Sequence, residues 1–298
     1  MSVSPHLDPA RKQDFVFVFD VRDGNPNGDP DAGGMPRIDY ETGHGLVTDV
    51  AIKRKIRNTV SMLGAGQPGY DIYVEQGVAL NTQHERAYAA LQLKPGEKGA
   101  ELRAQEWMCR TFFDVRMFGA VMTTGKDQGG EKGAKFSCGR VQGPLQLTFS
   151  RSVDPVNPVE HGISRITQTR QEDIEKGEST ELGSKYTIPY GLYIGYGHFS
   201  APLARRTWVS SEDLAMLWRA FTLMFEHDRA ASRGEMALRG LYVFTHADAF
   251  GSAPAYDLFD RISYTKRENV TVPRAFADYQ LSLDNDLPDG VTLTRLIG

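Results

Sequence analysis

Four cations stand within five residues at Lys53, Arg54, Lys55 and Arg57. Around them Ile52, Ile56, Val60 and Leu63 recur at helical spacing and would form one apolar stripe. Arg54 and Arg57 would point away from that stripe, with Lys53 and Lys55 at its flanks. A solvated helix face ordinarily mixes signs, so that acids and bases pair three or four residues apart. Here no acid follows Asp49 until Asp71. Such a density of one sign suits a ridge that tracks phosphates. A plain solvated face is the competing reading, and the motif by itself leaves both open.

A second candidate lies upstream, in the run Arg22-Asp23-Gly24-Asn25-Pro26-Asn27-Gly28-Asp29-Pro30-Asp31. Its composition reads as a series of Asx turns with glycines at the bends. Its position suggests more, because it leads from an apolar strand toward the basic helix. Backbone N–H groups and the amides of Asn25 and Asn27 could meet a ligand there. Asp23, Asp29 and Asp31 offer hard oxygens for a metal, but the spacing is not that of a calcium loop and no acid closes the series. The seven histidines form no HxH, HExxH or HxxxH pair, and no GxSxG elbow or GxxxxGK[ST] loop occurs. Binding is therefore favoured over catalysis, with no cofactor and no resident metal expected.

These residues need elements to hold them. Residues 15–21, FVFVFDV, read as a central strand covered on both sides. Thr48 is a good N-cap for a helix running to about Leu63, and residues 64–69 break it. Residues 70–105 read as a helical insertion. Residues 107–115 read as one helix continuing toward Phe118, and 125–135 as a flexible loop. Strands are expected at 141–150, 188–199, 241–245 and 291–297, with an amphipathic helix over 211–227. Residues 154–186 have few large apolar groups and should project as an arm. Two short strands around an acidic tip would make it a hairpin, with Ile166 placed to wedge into a nucleic-acid strand. A disordered surface loop is the alternative. The order predicts an α+β antiparallel sheet of the ferredoxin-like, RNA-recognition (RRM-like) type, with helices on one face.

Bulk composition bounds the rest. The 298 residues are 40% hydrophobic and 24% charged, enough for a buried core. The net charge of −4 argues against a wholly basic nucleic-acid binder but not against a local basic groove. No apolar run approaches the roughly 20 residues that span a membrane, and the polar N-terminus has no apolar signal core. Cys109 and Cys138 are too few for a disulfide framework and read as free thiols in a reducing cytoplasm.

Taken together, RDGNPNGDPD, TDVAIKRKIRN, DVRMFGAVM, GPLQLTFSRSVDPV and KYTIPYGLYIGYGHF resemble the Cascade backbone family of CRISPR systems, nearest the type I-C branch of the RAMP superfamily. The resemblance runs from about residue 15 to residue 296. It implies a hand-shaped protein with an RRM-like palm over 1–63, 106–153 and 188–298, a finger insertion over 64–105 and a thumb arm over 154–187. It implies copies stacked head to tail along a CRISPR guide RNA, beside other Cascade subunits, presenting guide bases to a target DNA strand. Carried over by position, Lys53, Arg54, Lys55 and Arg57 would hold the guide backbone, with Arg22, Asn25 and Asn27 in the RNA-facing loop. Ile166, Thr167, Gln168, Thr169, Arg170, Lys185 and Tyr186 would be the thumb contacts. The sequence departs from an RNA-recognition sheet in lacking its aromatic motif, of which Phe118-Gly119-Ala120-Val121 is at most a remnant, so backbone binding is expected over base stacking. Related type III proteins cut RNA with a loop acid. A metal-dependent RNA endonuclease using Asp23 or Asp29 is therefore the alternative to a non-catalytic subunit.

Overall fold

A computed structural model of the chain describes residues 4–123, 136–176 and 181–298. The loop expected at 125–135 lies outside them. Along the first half run β1 (Gln13–Gly24), β2 (Gly28–Asp29), β3 (Met35–Pro36), β4 (His44–Val47), α1 (Asp49–Leu63), α2 (Leu80–Leu91), α3 (Ala100–Thr111), α4 (Phe113–Phe118), β5 (Gly119–Val121), β6 (Arg140–Gln142) and β7 (Leu145–Leu147). The second half holds β8 (Ser150–Pro155), β9 (Val159–Arg165), α5 (Gln171–Glu175), β10 (Glu181–Phe199), α6 (Ala201–Thr207), α7 (Ser211–Leu223), β11 (Glu235–His246), α8 (Ala255–Phe259), β12 (Ile262–Lys266), β13 (Tyr279–Leu283) and β14 (Val291–Ile297).

β1 is the spine of a large antiparallel sheet with the order β14-β11-β1-β10-β8-β4, in which β7 and β9 also pair with β10. Alternation sends Phe15, Phe17 and Phe19 to one face and Val16 and Val18 to the other. All five are fully buried, so both faces are covered as the unbroken apolar run predicts. Over the phenylalanine face lie Ile52, Ile56 and Val60 of α1 and Leu214, Leu217, Trp218 and Phe221 of α7. Phe15 meets Trp218 and Phe221 edge-on, at 5.1 and 5.5 Å between ring centroids. Over the valine face lie Leu258 of α8 and Ile262, Tyr264 and Tyr279 of the β12–β13 hairpin. Helices were expected on one face only. That holds for α1 and α7, whereas α8 sits on the other because the valines and Tyr242 also need a cover. Tyr190, Tyr242 and Phe244 are consequently buried, leaving those sheet aromatics no open face for bases.

α1 starts and stops where the sequence places it. The Thr48 hydroxyl accepts the Ala51 N–H at 3.2 Å, and the Gly64 N–H closes on the Val60 carbonyl at 2.8 Å. The insertion after it builds its own apolar cluster from Tyr73, Ala87, Tyr88, Ala104, Met108, Cys109, Phe112 and Val115, joined by Met122, Cys138 and Val141. α3 runs straight across position 105, so this packing unit extends past the finger boundary read from the sequence. The single helix expected from Trp107 toward Phe118 is interrupted. Phe112 is extended, and the Phe113 N–H turns to the Asp71 carbonyl at 2.9 Å, which ties the two ends of the insertion together.

The arm is a hairpin, one of the two readings its sequence left open. β9 pairs with the first part of β10 from Arg165↔Glu181 to Thr187↔Val159. β10 then continues without a break into the sheet beside β1, so the arm is rooted in the spine of the fold. Ile166 and Leu182 stand out from it, 88% and 84% exposed.

Candidate nucleic-acid interface

The loop after β1 and the start of α1 meet in a cleft of about 710 Å³. Asn25, Asn27 and Gly28 line one wall, Thr48 to Ala51, Arg54 and Lys55 the second, and Asp228, Ser232 and Arg233 the third. The loop is fixed from both sides. Its Asn25 N–H donates to the Ser232 carbonyl at 2.8 Å, and the Asn25 amide NH2 donates to the Gly34 carbonyl at 2.8 Å. The Asn27 side-chain oxygen accepts the Thr48 N–H at 2.9 Å and so sets the position of the helix N-terminus. Gly24 is required here because a Cβ would overlap the Arg233 carbonyl. Both asparagines thus shape the cleft with bonds internal to the protein, while the Asn25 side-chain oxygen is buried without a partner among the described residues.

The cleft is electropositive but largely neutralised. Four cationic side chains, Arg37, Arg54, Lys55 and Arg233, line it with two carboxylates, Asp49 and Asp228. Arg37 lies 3.3 Å from Asp29. Lys55 is 5% exposed and bonds Asp228, which also takes Arg233. Burial holds the Lys55 ammonium below its ordinary pKa, and the Asp228 charge offsets part of that. The positive end of α1 opens on the same space through Asp49, Val50 and Ala51.

Three of the four ridge cations are paired with carboxylates. The ridge argument rested on the lack of acids between Asp49 and Asp71, but Asp49 itself lies one turn before Lys53 and the fold brings Asp228 and Asp114 to the other two. Lys53 pairs with Asp49 at 3.0 Å, Lys55 with Asp228, and Arg57 with Asp114 at 2.8 Å. Lys53 and Arg57 both lie over the Phe118 ring, on a side of α1 that does not line the cleft. Arg54 alone of the four has no carboxylate within 4 Å among the described residues. It is exposed and donates to the Gln76 side-chain oxygen at 3.2 Å.

The structure does not bring the remaining sequence-predicted residues to this cleft. Arg22 is exposed on β1, between Tyr190 and Glu235 of the neighbouring strands. Ile166, Thr167, Gln168, Thr169 and Arg170 form the turn that follows β9. Arg165 pins that turn by donating to the Thr167 carbonyl at 2.9 Å and the Thr169 hydroxyl at 2.6 Å. Lys185 and Tyr186 are half-buried on β10, opposite His161 and Glu160. Sequence reasoning missed Arg37, Asp228, Ser232 and Arg233. The one signal for the last three is the polar stretch HDRAASRG, a loop without periodicity, and Arg37 has none.

A mixed α/β chain with a large antiparallel sheet and a basic cleft at the mouth of its central strand is the class defined so far. Its family follows from comparison: the sequence pattern of the family "CRISPR-associated protein Cas7" matches residues 11–284, and the chain belongs to that family. A protein of Haloferax volcanii with the same description is 27% identical over 226 residues, covering 70% of this chain and 64% of that protein. The aligned part is thus less than two thirds of that relative's length. Among solved structures, a chain of "CRISPR RNA-guided surveillance complex, pre-nicking" is 13% identical, with 78% of each chain covered and a TM-score of 0.48. A chain of "CRISPR RNA-guided surveillance complex" is 11% identical over 77% of this chain and 68% of its own, with a TM-score of 0.40.

Proposed function

We propose that this chain is a non-catalytic guide-RNA-binding subunit of the type I-C branch, polymerising head to tail in the cytoplasm into the backbone of a Cascade complex. In that role it presents guide bases to a target DNA strand in antiviral defence, beside other Cascade subunits. Family membership supports the assignment, and RDGNPNGDP followed by IKRKIRN supports the branch. The observation that carries the RNA-binding part is the cleft where the asparagine loop, the α1 N-terminus and the unneutralised Arg54 converge. The β11-β1-β10-β8 order, with α1 after β1 and α7 before β11, supports an RRM-like palm. The insertion from residue 64 serves as fingers and the β9–β10 arm as the thumb, whose exposed Ile166 suits a wedge between bases. Asp29 is occupied by Arg37 and by the Asp31 N–H, which supports the non-catalytic reading over a loop-aspartate nuclease.

The test is the salt dependence of guide binding. Arg54→Ala should lower the slope of log affinity against log salt by about 0.7, one phosphate contact to a single strand. A folded Arg54→Ala protein with unchanged affinity and slope removes this cleft from the RNA path. Metal-dependent RNA cleavage by the wild type, lost in Asp23→Ala or Asp29→Ala, overturns the non-catalytic reading.

A further inference from the structure

A second cleft, about 320 Å³, lies between α3 and α6 and shares no lining residue with the first. Leu102, Gln105 and Glu106 of α3 form one side, Arg140 of β6 the end, and Arg206 and Trp208 the other side. Trp208 is the unusual member. It caps α6 in the left-handed region at φ 59°, ψ 37°, held by its own N–H to the Ala204 carbonyl. An L side chain is disfavoured there relative to the right-handed conformation. Thr207 and Val209 on either side are buried, so this twist turns the indole outward to 47% exposure. A large aromatic ring held out by a strained backbone indicates a surface used for contact.

Its neighbours specify the chemistry. The Arg110 guanidinium sits 5.5 Å from the Trp208 ring centroid, a cation–π stack. Arg110, Arg140 and Arg206 are exposed, and none has a carboxylate within 4 Å among the described residues. Among the described residues Glu106 is the one acid in the lining, so cations prevail there. We infer that this cleft binds single-stranded nucleic acid, taking a base against Trp208 and the adjoining phosphates on Arg140 and Arg206. A planar ring beside uncommitted guanidinium groups is the pairing that sequence-tolerant single-strand sites use. A duplex would hide its base faces. An acidic protein segment would satisfy the arginines but gives the indole no flat partner. The inference does not rest on the guide-binding reading, because the two clefts are separate.

The experiment titrates the full-length chain with oligothymidylate and oligouridylate, reading tryptophan fluorescence and the anisotropy of labelled oligonucleotide. Stacking on Trp208 should quench its emission, with Trp218 buried as an internal reference. Trp208→Ala should abolish the quench and weaken binding about tenfold or more. Arg206→Glu, at an exposed position that leaves the core untouched, should weaken binding comparably. Trp208→Phe should keep most of the affinity without the indole signal, and Arg54→Ala should leave the Trp208 quench in place. Absence of quenching in the wild type overturns the inference. So does the same quench in Trp208→Ala, or a polyglutamate peptide binding this cleft where neither oligonucleotide does.

Discussion

Removing the Arg57 guanidinium separates a cation that holds the fold from one that would hold phosphate in the proposed role. Arg57 Nε donates to Asp114 at 2.8 Å, and its guanidinium lies 5.1 Å from the Phe118 ring centroid. Asp114 is 1% exposed and also accepts the N–H groups of Tyr73 at 2.8 Å and Val74 at 3.1 Å. The pair therefore bolts α1 to both ends of the insertion. Arg57→Ala would leave a buried carboxylate with two amide bonds and no countercharge. Breaking a buried pair from one side costs about 3–5 kcal/mol, and the surviving amides place this case at about 3 kcal/mol. The assay is urea unfolding: the midpoint should fall while the slope stays constant. Asp114→Ala should destabilise to a similar extent, and the double variant should lose less than the sum, with a coupling of about 2 kcal/mol. The salt slope of guide binding by the folded variant should match wild type. If Arg57→Ala instead unfolds like wild type and lowers that slope as Arg54→Ala does, Arg57 faces phosphate and the structural role fails.

Three further outcomes are expected. Asp14 is fully buried on β1; burial raises its pKa, but hydrogen bonds from His198, His246 and Lys12 outweigh that and hold it below the ordinary carboxylate range. A depressed folded pKa gives stability that is present above about pH 4 and lost as acid protonates the group. Asp14→Asn should thus be less stable at pH 7 and less acid-sensitive, and parallel melting profiles of variant and wild type from pH 3 to pH 7 would count against it. Burial pushes the Cys109 and Cys138 thiols up to about 12, so neither should react with a thiol reagent at pH 8 until denaturant is added; rapid labelling of the native protein would contradict this. Replacing residues 164–186 by a short Gly-Ser link should leave the sheet folded and some RNA affinity intact, but should abolish regularly spaced hyperreactive guide nucleotides in chemical probing. Unchanged spacing would mean that another element segments the guide.

Local signals in the chain were sufficient wherever the physics is local. FVFVFDV announces a strand buried on both faces, and Thr48 with Gly64 brackets α1, because side-chain alternation and capping act within a few residues. The arm was legible from its poverty in apolar groups, with a hairpin as one of two open readings, although β10 as one 19-residue strand was not, since its polar and apolar parts read as different elements. What stayed hidden was long-range. Asp114 lies 57 positions from Arg57, and Asp228 lies 173 from Lys55. A like-sign run looks uncommitted until the fold delivers those acids. The same holds for Trp208, whose exposure comes from one backbone torsion that no spacing reports.

This distinction changes what charge says about function. A net charge of −4 and a basic helix gave opposed indications, because both count cations without asking what they touch. A cation joined to a buried carboxylate adds little to the field seen by a polyanion and much to the rigidity of its element. Lys55 with Asp228 and Arg57 with Asp114 are of this kind, and they fix α1 between the loop wall and the insertion. A cation without a carboxylate partner can exchange water and counterions for phosphate at little structural cost. Arg54 at the first cleft and Arg140 and Arg206 at the second are of this other kind. Loss of the first kind should appear as unfolding free energy and loss of the second as a change in salt slope. The ratio of the two responses at each position therefore sorts the cations that stiffen the fold from those left open to a polyanion.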